Sequence, residues 1–398
     1  MKIIRGCKSI IQKLVFSSPK KSALVIYDHA SLPGLDCVIK EFKYSVLETR
    51  NEKIYFSFLM LFYMIVNLKY CTVKIGRLNL KGIYLLSCLK IINPKVVITI
   101  VDDSEHFHWL SRTLKFIEFY AVENGIRPLG TTGKLGTESI RKNAIISFTN
   151  YICYGQYEVE HFPAQGHKID HYYPFGPVPQ SYYRSSIIAK HSKSIKYQIC
   201  KVAQASWSVF EVHPDYPEKF KKLIITLEKY LAKFIKEFNI KCCIALRDSD
   251  DYAMNYYNEI YGNAVTYIQF EQHVSTYLAM EESEVVVNSF SSVGTQALGL
   301  GRKVLFVDCS GTPCHNFFKS SVTRFPEVEE LCVVSEDNYE LFCNKLNRLL
   351  AMPYEEYLSI VKEARAYYAV FDDHYPAYKK VIDLINQRIN KKSQLGLT

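Results

Sequence analysis

Several features that would place this chain quickly are missing from it. Its twelve cysteines form no CxxC pair and show no Cys/His spacing of a zinc site, which argues against a structural zinc module. Cys242 and Cys243 are adjacent, and Cys309 and Cys314 are five apart. They read as reduced thiols of a cytosolic protein, many of them small core residues. The basic stretch Met1–Phe16 has no long apolar core and no small-residue cleavage site, so no secretory signal is expected and the expected location is cytoplasmic. The most apolar run, Ile54 to Leu68, has fifteen residues with Ser57, Tyr63 and Asn67 among them. A bilayer span needs about 20, so the run is expected to be a buried helix. Internal repeats, low-complexity blocks, an RNP-like aromatic motif and a concentrated basic stripe are also missing, and no nucleic-acid partner is expected.

What is present is the material of a large globular protein. The 398 residues are 48% hydrophobic and 22% charged, enough apolar content for a sizeable core and too much for a disordered chain. At roughly 100–200 residues per domain, two or three domains are expected. Lys and Arg exceed Asp and Glu by 49 to 40, a net charge of +9. Such an excess fits an anionic substrate, nucleic acid or peripheral contact with an anionic membrane equally well, so charge by itself narrows little. The 30 Tyr and 23 Phe serve sugar stacking or simple packing.

Short β-branched runs alternate with longer helix-period segments, the pattern of an α/β chain with mostly parallel sheets. In the first half, strands are predicted at Ala23–Tyr27, Val96–Val101, Phe119–Val122 and Tyr151–Cys153, with a second helix at Leu80–Ile92 that Asn93-Pro94 ends. Gly176, Pro177 and Pro179, followed by a polar stretch, mark a domain boundary. The second half restarts with a strand at Tyr197–Val202 and an amphipathic helix at Pro217–Phe238. Five further strands follow, at Cys242–Leu246, Val265–Ile268, Glu284–Asn288, Val304–Val307 and Cys332–Val334. The tail from Tyr354 reads as helices. Two Rossmann-like halves with terminal helices predict a two-domain GT-B architecture whose cleft holds the site. The expected division is an acceptor domain over 1–185, a nucleotide-donor domain over 186–370, and a C-terminal helix and tail over 371–398.

The segment from Glu284 to Gly299 carries the strongest chemical signal. A buried strand runs into the hydroxyl-rich turn Ser289–Ser292 and then a helix containing Gly294, Thr295 and Gln296. Free N–H groups at that helix start, with Ser291 and Ser292, suit a phosphate, although a Ser N-cap on an ordinary βα turn looks the same. Arg247 closes another strand and suits a diphosphate or an ion pair with nearby aspartates. Asp248 and Asp250 form a DxD pattern, weighed as a metal-nucleotide site or a helix cap. Asp102 and Asp103, and Glu123 with Asn124-Gly125 one unit later, end first-half strands where a general base for an acceptor hydroxyl would stand. His167 and His213 are further acid/base candidates or plain surface residues.

In this order the segments resemble bacterial surface-carbohydrate biosynthesis proteins, GT-B-type transferases that make capsule or lipopolysaccharide sugars. The matching stretches are Asn93 to Ser104, Ala121 to Arg127, Tyr154 to Glu158 with Gly166–Lys168, His171 to Gly176, Ile244 to Arg247, and Ser289 to Gly299. They cover residues 50 to 310. The resemblance implies a cytoplasmic, metal-independent glycosyltransferase that needs no cofactor and uses a CMP- or UDP-linked donor sugar. It places the donor nucleotide on the C-terminal half and the glycan or lipid-linked acceptor on the N-terminal half. The wider group includes Kdo transferases and polyol-phosphate transferases using CDP-linked donors. Two positions depart from it. Gln296 stands where many such enzymes have a Glu that grips the donor ribose, and Glu123 stands where relatives often carry a neutral amide. The expected function is transfer of a sugar from a nucleotide donor to a surface polysaccharide or lipid-linked precursor. A CDP-polyol phosphotransferase, a nucleotide-sugar epimerase and a non-catalytic scaffold of a glycan assembly complex are the rivals.

Overall fold

The structure, a computed structural model, describes residues 13–50, 53–72, 80–125, 145–186, 194–204, 218–247, 251–271, 274–289, 291–309 and 324–394. Two six-stranded sheets, parallel throughout, organise the chain. The first is built from β2 (Leu24–Tyr27), β3 (Tyr44–Leu47), β5 (Val96–Thr99), β6 (Glu118–Val122), β7 (Ser147–Cys153) and β8 (Lys168–Pro174), in the order β3-β2-β5-β6-β7-β8. A separate two-stranded ladder pairs β1 (Leu14–Val15) with β4 (Ile54–Tyr55). The continuous apolar runs Leu-Val-Ile-Tyr and Val-Val-Ile-Thr are fully buried because helices cover both faces.

On one face lie α3 (Leu80–Ile92), α4 (Glu105–Thr113) and α5 (Gln156–Ala164). The other face takes α1 (Leu32–Ile39), α6 (Val178–Ser186) and the C-terminal helix α14 (Ala377–Gln394), whose Ala377, Val381 and Ile385 enter that core. The end of the chain thus folds back onto the first domain. Aromatic residues fill the space between helices and sheet: Phe107 sits edge-on to Tyr27, Phe119 and Phe148. Much of the Tyr and Phe excess goes into such packing.

The expected buried helix at Ile54–Leu68 needs correction. Its first two residues are strand β4, Ser57 caps a helix by accepting from Met60 N, and α2 (Phe58–Asn67) buries only Met60 and Asn67. The helix is a surface one, because α3 already covers the sheet and α2 packs on α3 from outside.

The second sheet holds β9 (Tyr197–Val202), β10 (Cys242–Ala245), β11 (Val265–Ile268), β12 (Ser283–Asn288), β13 (Lys303–Val307) and β14 (Val333–Val334), in the order β11-β10-β9-β12-β13-β14. Chain order reverses between β9 and β12, so this sheet has the doubly wound arrangement with its switch point there. Around it lie α7 (Glu218–Phe238), α8 (Asp251–Tyr261), α9 (Val274–Glu281), α10 (Ser292–Gly299), α11 (Pro326–Cys332), α12 (Tyr339–Ala351) and α13 (Tyr354–Tyr368). Inside this core Lys201 of β9 meets Glu228 of α7 at 2.9 Å, both essentially unexposed. Lys201 Nζ also donates to the Val202 carbonyl, and Tyr261 Oη donates to Glu228.

From the last residues of α13 the chain crosses between the domains over Tyr367–Phe371. Val370 N donates to Tyr154 O at 2.9 Å. Gly155 and Gly176 of the first domain and Gly299 of the second press against this crossing, and a Cβ on any of them would strike its backbone. Gly176 also has a φ of 100°, which excludes most side chains independently.

Candidate functional site

The carboxyl edges of the two sheets face each other. In the second domain, the strand end Asn288 leads through Ser289 to Ser291, whose hydroxyl caps α10 by accepting from Val293 N at 3.3 Å. Asn288 Nδ2 donates to the carbonyls of Ser289 and Ser291, folding the turn back on itself. Gly294 is needed here, because a Cβ would lie 2.2 Å from that amide nitrogen. Ser291 and Ser292 stay partly open, whereas Gly294, Thr295 and Gln296 are buried. Across the switch point, Gln204 at the end of β9 accepts from Ser289 N at 3.3 Å and from the Ser289 hydroxyl. Arg247 stands exposed at the end of β10, two strands from β12. At ~4.8 Å per strand that is about 10 Å along the same edge.

The first domain brings carboxyl groups to the opposing edge. Asp102 is buried and accepts from Tyr151 Oη at 3.1 Å, while its carbonyl accepts from His108 Nε2 at 2.7 Å. Asp103 is only half-buried, beside Ser104, which caps α4. Of the two adjacent aspartates, Asp103 is therefore the accessible one. Glu123 is buried at the end of β6 and accepts from Tyr154 N at 2.8 Å. Its carboxyl group is also hydrogen-bonded to that of Glu158, which accepts from Gly155 N at the start of α5. Burial pushes the Glu158 carboxyl up to about 8, although the Gly155 N–H and Glu123 act against the shift. A proton therefore stays on this pair near neutrality.

Among the contacts between the domains, two meet α10 at the seam. A Cβ on Gly125 would lie 3.4 Å from Ser292 Oγ. Gln296 Nε2 donates to Tyr154 Oη at 2.9 Å, and Tyr277 Oη donates to Gln296 Oε1. The amide at the position where the resemblance expects a ribose-gripping Glu is thus held between one tyrosine from each domain. Burial drives both phenols far above their ordinary range, so both remain neutral. At the first sheet's own reversal, between β2 and β5, Asp28 has a φ of 70° and is held by Ala30 N, Thr49 and Arg50. Burial would raise its carboxyl, but these donors outweigh it and hold the group low.

The structure thus gathers Asp102, Asp103, Glu123, Asn124, Arg247, Ser291, Ser292, Gly294, Thr295 and Gln296 on the facing edges. It does not bring His167 there. That residue precedes β8, at the amino end of the sheet, where Nδ1 accepts from Ile146 N and the ring packs on Phe162. His213, Arg127, Asp248 and Asp250 lie outside the described residues. Residue patterns alone missed Gln204, Asp28, Tyr277 and the pairing of Glu158 with Glu123. Glu158 has a legible signal, being the third residue of a helix, but that signal reads as a cap.

No protein-family model matches this sequence, and no curated protein matches it. Solved structures do match its fold. Staphylococcus aureus MnaA, solved with UDP, superposes with a TM-score of 0.55 at 12% identity over 93% of this chain and 97% of that one. The fold is GT-B. A UDP-GlcNAc 2-epimerase from Neisseria meningitidis, bound to UDP-GlcNAc, gives 0.51 at 11% identity over 92% and 99%. The wall teichoic acid polymerase TagF, as a variant, gives 0.52 at 12% identity over 95% and 91%. This GT-B chain therefore shares nearly its whole length with both kinds of protein.

Proposed function

We propose that this protein is a glycosyltransferase that binds a nucleotide-activated sugar at the carboxyl edge of the second sheet and transfers the sugar to an acceptor hydroxyl at the first. The observation that carries the reading is the position of the α10 start: it lies at the switch point beside β9, opens partly to solvent, and faces Gly125 across the seam. Ser291, Ser292 and the first amides of α10 would hold the donor phosphates. Arg247 would neutralise charge on the departing nucleotide. In the transfer the acceptor oxygen bonds to the anomeric carbon, and the bond from that carbon to the nucleotide's phosphate oxygen breaks with its electron pair. Asp103 takes the acceptor proton, since Asp102 is committed to Tyr151 and Glu123 to Tyr154 and Glu158. Fold neighbours solved with UDP and UDP-GlcNAc support a nucleotide-sugar donor.

A second reading, epimerisation of the nucleotide sugar itself, is favoured by the proton-holding Glu123–Glu158 pair, which sits beneath the seam rather than out at the acceptor side. Melting the protein with CMP, CDP, UDP, GDP and dTDP tests what both readings share. One nucleotide at 100 times its Kd should add about 2.7 kcal/mol to the wild type. Ser292→Ala and Arg247→Ala should remove most of that gain. If none of the five shifts the melt, the nucleotide-sugar reading fails and a scaffold role takes its place. Where one does bind, incubating its sugar conjugate in D2O without acceptor separates the two readings. Deuterium on the recovered sugar means epimerisation, and an untouched sugar that is consumed only with acceptor means transfer.

A further inference from the structure

Helix α2 carries an apolar surface that neither domain core uses. Phe58 is 94% exposed, Phe62 59% and Ile65 58%. Phe56 just before the helix, Leu61 within it and Leu80 at the start of the neighbouring α3 are also exposed. Scattered apolar residues are ordinary on a protein surface, but a cluster on one helix marks a contact site. The charge along this segment of chain has one sign. Lys53, Lys69 and Lys81 are exposed at its margins, and no Asp or Glu occurs between Lys53 and Lys95.

We propose that α2 lies in the interfacial region of a bilayer rich in anionic phospholipid, with its aromatic and aliphatic side chains among the headgroups and acyl chains and the flanking lysines on lipid phosphates. A ten-residue helix is ~15 Å long, about half the ~30 Å hydrocarbon thickness, so it lies on the membrane rather than across it. Among the described residues, no helix is long and apolar enough to cross. An apolar helix rimmed by lysine is the composition that such a surface binds. A second copy of the chain is the poorer occupant. An interface made from the same patch twice would bring the lysine rims together.

The inference stands apart from the nucleotide-sugar reading, because its assay needs no turnover and its failure leaves that reading untouched. The full chain is sedimented with vesicles of phosphatidylcholine alone and with vesicles containing about one-third phosphatidylglycerol. Binding is expected to the anionic vesicles and to weaken with salt. Phe58→Ser/Phe62→Ser should lower the partition coefficient by about tenfold or more. Lys53→Gln, Lys69→Gln and Lys81→Gln should each lower it about fivefold. All these positions are exposed, so thermal melts should stay at the wild-type value. The proposal is overturned if the wild type ignores anionic vesicles, or if Phe58→Ser/Phe62→Ser binds them as well as the wild type does. It is equally overturned if sedimentation shows a dimer that this double substitution dissolves while vesicles recruit nothing.

Discussion

The two sheets offer each other unlike edges. Asp28, Asp102, Asp103 and Glu123 stand at strand ends of the first, while Gln204, Arg247, Asn288, Ser289 and Ser292 stand at those of the second. Three of the four carboxyl groups on the first edge are buried and tied to donors, leaving Asp103 accessible. The second edge combines hydroxyls and amides with the exposed Arg247 guanidinium, and its carboxyl at the end of β13, Asp308, is buried. An anionic phosphate suits the second edge, and a hydroxyl that must lose a proton suits the first. The interiors differ as well. In the first domain the buried charged groups are carboxyls, Glu158 and those at the strand ends, whereas the second core contains an ion pair of opposite charges, Lys201–Glu228.

Breaking that pair should give the largest effect. Lys201→Met leaves Glu228 buried with only the Tyr261 hydroxyl as donor, which should cost about 3–5 kcal/mol in a denaturant melt. Lys201→Met with Glu228→Leu should recover much of the loss, because an apolar pair needs no compensation. If the single substitution costs under about 1 kcal/mol, water reaches the pair and the contrast between the two cores disappears.

The difference between edges and interiors also separates what the sequence made legible. Val96–Thr99 and Val285–Asn288 are unbroken apolar runs because they lie in the middle of parallel sheets, and they read correctly as strands. Tyr44–Leu47 and Lys168–Pro174 went unread. They are the two outer strands of the first sheet, half-exposed, and their mixed composition resembles a loop. The hydroxyl turn before α10 was legible because its residue types announce a helix start. Glu228 was hidden inside the apolar stripe Leu223, Leu227, Leu231, and its partner lies on a strand 27 residues earlier, a distance that periodicity cannot bridge. Ile54–Leu68 misled for a related reason. Apolar composition states that a helix seeks a partner, but not whether that partner belongs to the same chain.

The seam between the edges can be tested at Gln296. Gln296→Leu keeps the volume but strands the hydroxyls of Tyr154 and Tyr277, both buried. Losing two hydrogen bonds at about 1 kcal/mol each predicts a fall of about 2 kcal/mol in unfolding free energy. Because one tyrosine comes from each domain, the substitution should also spread a single unfolding transition into two. A single sharp transition with unchanged midpoint would mean that the Tyr367–Phe371 crossing and contacts such as Arg184–Glu281 couple the domains without Gln296.

At the carboxyl pair the expected effect is legible as a slope in pH rather than in a single melt, and is small at any one step of pH. Burial raises the Glu158 carboxyl from 4.5 to about 8, so the fold holds a proton there that the unfolded chain has released over that range. A raised acid stabilises fully below about 4.5, and its contribution falls as pH climbs toward 8 and is gone above it. The slope for one such proton is at most about 1.4 kcal/mol per pH unit. Glu158→Gln supplies a permanently neutral group whose side-chain oxygen can still accept from Gly155 N. Its stability should therefore lack this fall, and the difference between variant and wild type should grow in the variant's favour from pH 5 to pH 8. Parallel curves would mean that Glu158 ionises in the fold as it does in the unfolded chain, and the second reading would lose the proton reservoir that favours it.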